Sequence, residues 1–296
     1  MDKYKSVICV IVKNEQRYIR EWVEHNIAVG FYKLFIYEDY GSDSHQKELQ
    51  DYIDKGLVEL VSLDETKVVP IQRKGTILQQ KLFNYFFDRC KKEDIADWIG
   101  FFDVDEFLMF EDGWNLERLE EAFKDKGGVL LSWKLYGANG HIKRPEGKVV
   151  DNYTASMPEG SKMGYILQTE WNVKSLCNVS LCGEQRAIHV FGGCVMTDDS
   201  DFRESDLVFE KAWLNHYFSK SWEDYLDRIF LRGNMHNNYR CLDNFFQTNP
   251  DMLPMKEKLI NEQRYRHCQS TMWISHDLKI ISGGNVDEWK RINGYR

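Results

Sequence analysis

Apolar positions in the first third of the chain switch between two periods. "SVICVIV", residues 6–12, is an unbroken, largely β-branched run between polar residues, the pattern of a strand buried on both faces of a parallel sheet. From Glu15 to Ala28 the spacing becomes helical, with Tyr18, Ile19, Trp22, Val23 and Ile27 on one face, and Gly30 ends the helix. "FYKLFIY" (31–37) predicts a second strand, 45–54 a helix, and "LVELVSL" (57–63) a third strand. Residues 76–92 predict a helix through Ile77, Leu78, Leu82, Phe83, Phe86 and Phe87, and "DWIGFFDVDEF" (97–107) a fourth strand. Strands alternating with helices are the mark of βαβ units. The fold class predicted is therefore α/β, with a Rossmann-like, mostly parallel sheet flanked by helices.

The second half is patterned less regularly. A helix is expected near 115–125, a strand in "GGVLLSWKLYG" (127–137), and an irregular stretch over 137–164 rich in Gly, Asn, Lys and Pro. Shorter strands are expected near 185–191 and 207–213, a helix from Ser221 to Gly233, and a polar helical segment over 250–268. The tail 276–296 shows no placeable pattern. With no internal repeat and no low-complexity linker, a single domain over 1–296 is expected, divided into a front half (1–126), a back half (127–240) and a C-terminal extension (241–296).

Composition narrows the function classes. With 296 residues, 43% of them hydrophobic, the chain can bury a full core, and its 14% aromatic content suits sugar-binding surfaces as well as core packing. A net charge of −8 argues against general nucleic-acid binding, which needs clustered Lys and Arg. The seven cysteines are irregularly spaced with no C-x-x-C, so neither a disulfide framework nor a zinc site is expected, only reduced and mostly buried thiols. The opening M-D-K-Y-K leads into an apolar run too short for a signal peptide, and no run approaches the ~18 apolar residues of a membrane span. The expected location is the cytoplasm, with the sequons at Asn152 and Asn178 as chance matches.

The chemistry concentrates where strands end. In open α/β sheets ligands bind beyond the carboxyl ends of the strands. "KNE" follows the first strand, "EDYGSDS" the second, and "DVDE" the fourth. In an extended chain Asp103 and Asp105 project from one face, and two converging carboxylates suit Mg²⁺ or Mn²⁺. Neither G-x-x-x-x-G-K nor G-x-G-x-x-G is present, so P-loop and dinucleotide chemistry are unsupported.

Three blocks carry a resemblance. "VKNEQRYIREWVEHNIAVGFYKLFIYEDYGSDS" resembles the opening of glycosyltransferases of the family 2 and family 92 type. "DWIGFFDVDEF" is similar to their D-x-D strand, and "NHYFSKSWEDYLDRIFLRG" to their N-H-Y-x-x-K-S segment. The blocks stand in the family's order from Val12 to Gly233, and the tail beyond about residue 250 lies outside the resemblance. It implies a GT-A fold, a nucleotide-sugar donor (a UDP-sugar, with a lean to UDP-galactose), Mn²⁺ or Mg²⁺ bound through D-x-D, and inversion at the anomeric carbon. The front half would then bind the nucleotide-sugar and the back half a glycan or lipid-linked glycan acceptor. Any membrane association would run through that acceptor, since no basic amphipathic helix is evident.

By the same resemblance, Asp105 would bind the metal directly and Asp103 the metal or the ribose. Glu106 would orient the site or the acceptor, while Glu15 and Asp39 would hold base and ribose; Asp43 reads as a turn cap. The third metal ligand would be a late histidine, His216 or His189. His216 is preferred because Lys220, four residues on and next to the helix start at Ser221, would reach the leaving diphosphate. Lys74 and Gln80 are further donor contacts. Inverting transfer needs a general base, and Asp151 and Glu170 both qualify, although Asn152 replaces the Arg that the family often carries after the first of these. Lys174 and Ser175 resemble a K-S pair of structural or acceptor role, and Trp133 and Tyr136, in "WKLYGANG", would stack on the acceptor sugar. Two other classes compete: a metal-dependent phosphohydrolase or nucleotidyltransferase, and a non-catalytic carbohydrate-binding protein.

Overall fold

A computed structural model describes residues 3–39, 45–63, 75–156, 172–187, 189–196, 211–229 and 242–268. Contacts group the chain into two compact units, 1–135 with 166–217, and 136–165 with 218–296. The second unit is thus assembled from two separate pieces of chain, and its limits differ from the boundaries at 126 and 240 expected from the sequence.

The first unit is built on one mixed sheet. The β-branched run forms β1 (Tyr4–Val12), and α1 (Gln16–Val29) follows it. α1 buries Ile19, Trp22, Val23 and Asn26 and stops at Gly30, whose φ of 119° is one that L side chains rarely adopt. β2 (Lys33–Glu38), α2 (His45–Asp54), β3 (Val58–Ser62), α3 (Gly75–Glu93) and β4 (Ala96–Gly100) continue the alternation. β3, β2, β1 and β4 lie side by side and parallel. On one face Val7, Cys9, Phe35 and Ile99 pack against Leu82, Phe83 and Phe86 of α3 in a core dense with aromatic rings.

The chain then departs from the predicted pattern. The fourth strand does not run through the acids: β4 ends at Gly100 and β5 (Glu106–Phe110) begins a new strand, with a turn between them. That turn is closed by Glu106 N–H donating to Asp103 O at 3.0 Å and Asp103 N–H donating to the Glu106 carboxylate at 2.9 Å. The strand alternation that put Asp103 and Asp105 on one face therefore does not apply.

α4 (Leu116–Ala122) precedes β6 (Gly128–Leu135), which pairs antiparallel with β7 (Val173–Asn178); β7 in turn runs antiparallel to β4. The short strands β8 (Gln185–Ala187) and β9 (Val190–Phe191) form their own hairpin, and β10 (Cys194–Met196) pairs with the first residues of β6. β11 (Ala212–His216) pairs parallel with the end of β6 and antiparallel with β5. The strand order is β3-β2-β1-β4-β7-β6-β11-β5. Its consequence is positional: the ends of β1, β2, β4, β6 and β11 and the starts of β5 and β7 all lie at one edge of the sheet.

In the second unit, α5 (Val149–Asn152), α6 (Trp222–Asp227), α7 (Leu242–Thr248), a 3₁₀ segment (Pro250–Met255) and α8 (Lys256–Cys268) are described. α6 starts where expected: Ser221 caps it by accepting from Asp224 N–H at 3.1 Å and donating to its carboxylate at 2.6 Å. Arg144 is clamped by Asp224 and Asp227, and the Tyr153 hydroxyl accepts from Ser221 N–H at 3.1 Å. Among the described residues no helix is long and apolar enough to cross a membrane.

Candidate metal and donor site

At that sheet edge, residues from five elements converge. His216, the last residue of β11, is the register partner of Glu106, the first of β5. Asp105 sits in the turn just before β5, its carbonyl accepting from Tyr217 N–H at 2.8 Å. One carboxylate oxygen each of Asp105 and Glu106 and a ring nitrogen of His216 lie within 4.8 Å of one another, and all three side chains are buried. His216 Nε2 stands 3.7 Å from Asp105 Oδ2. Trp133 on β6 packs its ring 4.4 Å from that of His216 and 5.4 Å from that of His189. α1 reaches the same turn, with Trp22 Nε1 donating to Glu106 O at 2.9 Å.

Both oxygens of Asp103 are taken up by other partners. Lys174, near the start of β7, is wholly buried and donates to Asp103 Oδ2 at 2.8 Å, with its ammonium 3.6 Å from Glu106 Oε1. Gln79 of α3 donates to the other oxygen, Asp103 Oδ1, at 2.7 Å. Burial alone would raise Asp103, but the Lys174 ammonium overrides it and holds the carboxyl below its ordinary value. Burial pushes Glu106 well above the carboxylate range, against Lys174 and with help from Asp103 and Asp105. Lys174 would be lowered by burial, yet Asp103, Glu106 and Asp105 together raise it.

The charge balance points to a cation. Asp103, Asp105 and Glu106 gather around the one ammonium of Lys174, too few positive charges for all three to ionise, and Glu106 Oε1 is buried with no hydrogen-bond partner among the described residues. Buried carboxylates are costly unless paired or bound to metal. Two carboxylates and an imidazole form a donor set that Mn²⁺ accepts and Mg²⁺ tolerates. The residues present therefore fit a divalent ion.

The other expected site residues are distributed as follows. Glu15 is buried at the cap of α1, where its N–H donates to His45 Nε2 at 3.1 Å. A backbone N–H can only donate, so that nitrogen accepts, and Nδ1 carries the proton it gives to Glu38 Oε1 at 2.6 Å. Asp39 follows β2 and meets Lys13 Nζ at 3.4 Å. Gln80 is half-buried, whereas its neighbour Gln79, which sequence reasoning passed over, contacts Asp103. Trp133, expected to stack on acceptor sugar, is buried with its ring packed on those of His216 and His189. Asp151 (exposed on α5), Tyr136 (bridged to Ser156) and Lys220 (buried, φ 49°) belong to the second unit. Lys74, Glu170 and Asp43 lie outside the described residues.

Sequence comparisons with curated proteins return members of one family. The chain is 25% identical over 242 residues to a glycosyltransferase family 92 protein of Arabidopsis thaliana, covering 78% of this chain and 38% of the relative. A family 92 protein of Ricinus communis is 24% identical over 235 residues, with 77% and 38% covered. The chain thus spans well under half the length of these relatives. Among solved structures, Staphylococcus aureus TarS in complex with UDP overlaps at a TM-score of 0.31 and 19% identity, over 48% of this chain and 38% of that one. Glucosyl-3-phosphoglycerate synthase from Mycobacterium tuberculosis, in complex with Mn²⁺, UDP and glucosyl-3-phosphoglycerate, overlaps at 0.29 and 16%, over 46% and 45%. The sequence model of glycosyltransferase family 92 matches residues 4–273, past the limit near 250 set by the three blocks, and the chain belongs to that family.

Proposed function

We propose that the chain is a metal-dependent glycosyltransferase that moves a sugar from a UDP-sugar to a glycan hydroxyl with inversion. The observation that carries this reading is the buried group of Asp105, Glu106 and His216 at the carboxyl edge of the sheet. Family membership supplies the reaction class.

Asp105, Glu106 and His216 would hold Mn²⁺ or Mg²⁺. Bound there, the ion supplies charge neutralisation to the diphosphate of the leaving nucleotide. The chain's own residues do the rest. Lys174 and Gln79 fix both Asp103 oxygens, so Asp103 presents a preset carboxylate whose remaining lone pairs accept from ribose hydroxyls. Glu15 and Asp39, after β1 and β2, stand at the same edge for the base and ribose. Trp133 fixes the plane of His216 by ring packing. A basic group, Lys220, is assigned to the diphosphate, and Asp151 or Glu170 to the acceptor proton.

The test is a donor panel of UDP-galactose, UDP-glucose, UDP-N-acetylglucosamine and GDP-mannose with oligosaccharide acceptors, reading free nucleotide and product anomer. Release of UDP that requires both Mn²⁺ and an acceptor, with an inverted product, supports the reading. Release that is equally fast without acceptor means a phosphohydrolase, and binding of glycan with no turnover of any donor means a lectin-like protein.

A further inference from the structure

A second ligand cluster lies in the same unit, outside the site described above. Cys177 on β7, Cys182 in the turn that follows, and Cys194 at the start of β10 bring their sulfurs within 4.8 Å of one another. Their sequence spacing matches no common zinc signature, so only the fold reveals the group. Cys177 and Cys194 are both register partners of Gly128 on β6. They meet across a strand position that has no side chain: a Cβ on Gly128 would lie 2.8 Å from the Cys194 sulfur and 2.9 Å from Cys177 Cα. Cys182 N–H donates to Asn178 O at 2.8 Å, which folds its thiol back toward β7.

The surroundings suit a soft cation. Cys177 and Cys182 belong to an apolar cluster with Phe87, Val179 and Phe191, and Cys194 packs against it half-buried. Lys91 places a positive charge at the trio by donating to Cys182 O at 3.0 Å. Cys182 Sγ lies 3.7 Å from Gly183 O and Cys194 Sγ 3.6 Å from Gly127 O, the carbonyls to which these two thiols donate. A disulfide would use two of these sulfurs and strand the third. A thiophilic d¹⁰ ion uses all three, and the half-buried side at Cys194 leaves a fourth position for water.

We propose that Cys177, Cys182 and Cys194 form a structural site for a thiophilic divalent cation of the Zn²⁺ type. Binding would tie β7 to β10 and close the segment between Cys182 and Cys194. That segment carries β8, β9 and His189, whose carbonyl already accepts from Ser175 Oγ at 2.8 Å. Metal would thereby hold the His189 arm against β7, a link independent of any donor chemistry.

The experiment uses the full chain, reduced, stripped with chelator and reloaded with one equivalent of Zn²⁺ or Co²⁺. X-ray absorption at the zinc edge is expected to show three sulfur neighbours at about 2.3 Å. Co²⁺ is expected to give a thiolate charge-transfer band that Cys194→Ser loses and Asp105→Asn keeps. Oxygen and nitrogen neighbours only, a band that survives Cys194→Ser, or no binding at all would each overturn the proposal. So would a protein whose mass, two hydrogens light, shows a disulfide within the trio and which binds no zinc once reduced. The absorption readout needs no variant, so a misfolded Cys194→Ser leaves the proposal falsifiable.

Discussion

Lys174 is wholly buried and ion-paired with Asp103 at 2.8 Å, so the turn that carries the acids is built around one internal ammonium. Removing a single partner of a buried pair leaves an uncompensated charge and costs about 3–5 kcal/mol. Lys174→Met should lower stability in urea by that order. The double variant Lys174→Met, Asp103→Asn should recover part of it, because one of the stranded carboxylates is gone. Equal stability of wild type and Lys174→Met would contradict the assigned geometry.

Gln79 and Gln80 separate contact from proximity. Gln79 holds Asp103 Oδ1 at 2.7 Å, and Gln80 makes no such bond. If Asp103 receives the ribose, Gln79→Leu should weaken nucleotide binding by roughly fivefold to tenfold, the worth of one hydrogen bond of about 1 kcal/mol. Gln80→Leu should leave binding unchanged. Calorimetric titration of both variants checks this, and the reverse ranking would return the role to Gln80.

Glu120 of α4 gives the fold a pH dependence. It is buried, one oxygen lacks a hydrogen-bond partner among the described residues, and burial pushes its carboxyl up to about 7. Below about pH 4.5 folded and unfolded chains both carry the proton, and its contribution is intact. Between there and pH 7 the unfolded chain ionises first, so stability falls as pH rises, by about 3 kcal/mol in full. Glu120→Gln should therefore match wild type near pH 4.5 and exceed it at pH 8. A difference that stays constant between the two pH values in urea titrations would contradict the shift.

Two glycines with positive φ should respond differently to alanine. Gly30, at φ 119°, has its nearest new contact at 3.7 Å, so Gly30→Ala carries backbone strain alone, about 1 kcal/mol. Gly128, at φ 144°, would place a Cβ 2.3 Å from Leu176 O. Gly128→Ala should cost on the order of 3 kcal/mol or more, since strain and overlap add. Comparable losses at the two positions, read from urea midpoints, would count against the packing around Gly128.

Much of the first unit was legible because its strands are apolar runs and its helices keep a 3.6-residue period. β1 through β3 fall within about two residues of their predicted spans, and β4 begins within one residue of its predicted start. What escaped was local or polar. The break between β4 and β5 is a turn stabilised by Asp103–Glu106 hydrogen bonds, and periodicity does not register such bonds. β7 was passed over because Lys174, Ser175 and Asn178 make it read as polar, although all six of its residues are buried. Those polar residues are satisfied by partners distant in sequence: Asp103 for Lys174, the His189 carbonyl for Ser175, the Lys124 carbonyl for Asn178. The motifs single out Asp105, Glu106 and His216, and the fold brings their side chains together. Gln79 and the thiol trio carry no motif, and only tertiary contact identifies them.

The proposed function requires Asp105, Glu106 and His216 to hold the divalent ion on which UDP-sugar binding depends. Its most direct test is a thermal-shift titration with UDP, GDP and ADP, each with and without Mn²⁺, on wild type and Asp105→Asn. A ligand that binds only the folded state raises the melting temperature by mass action. UDP is expected to stabilise wild type only when Mn²⁺ is present, and Asp105→Asn is expected to abolish the shift. No shift with any nucleotide and metal, or a shift that survives Asp105→Asn unchanged, would contradict the proposed function.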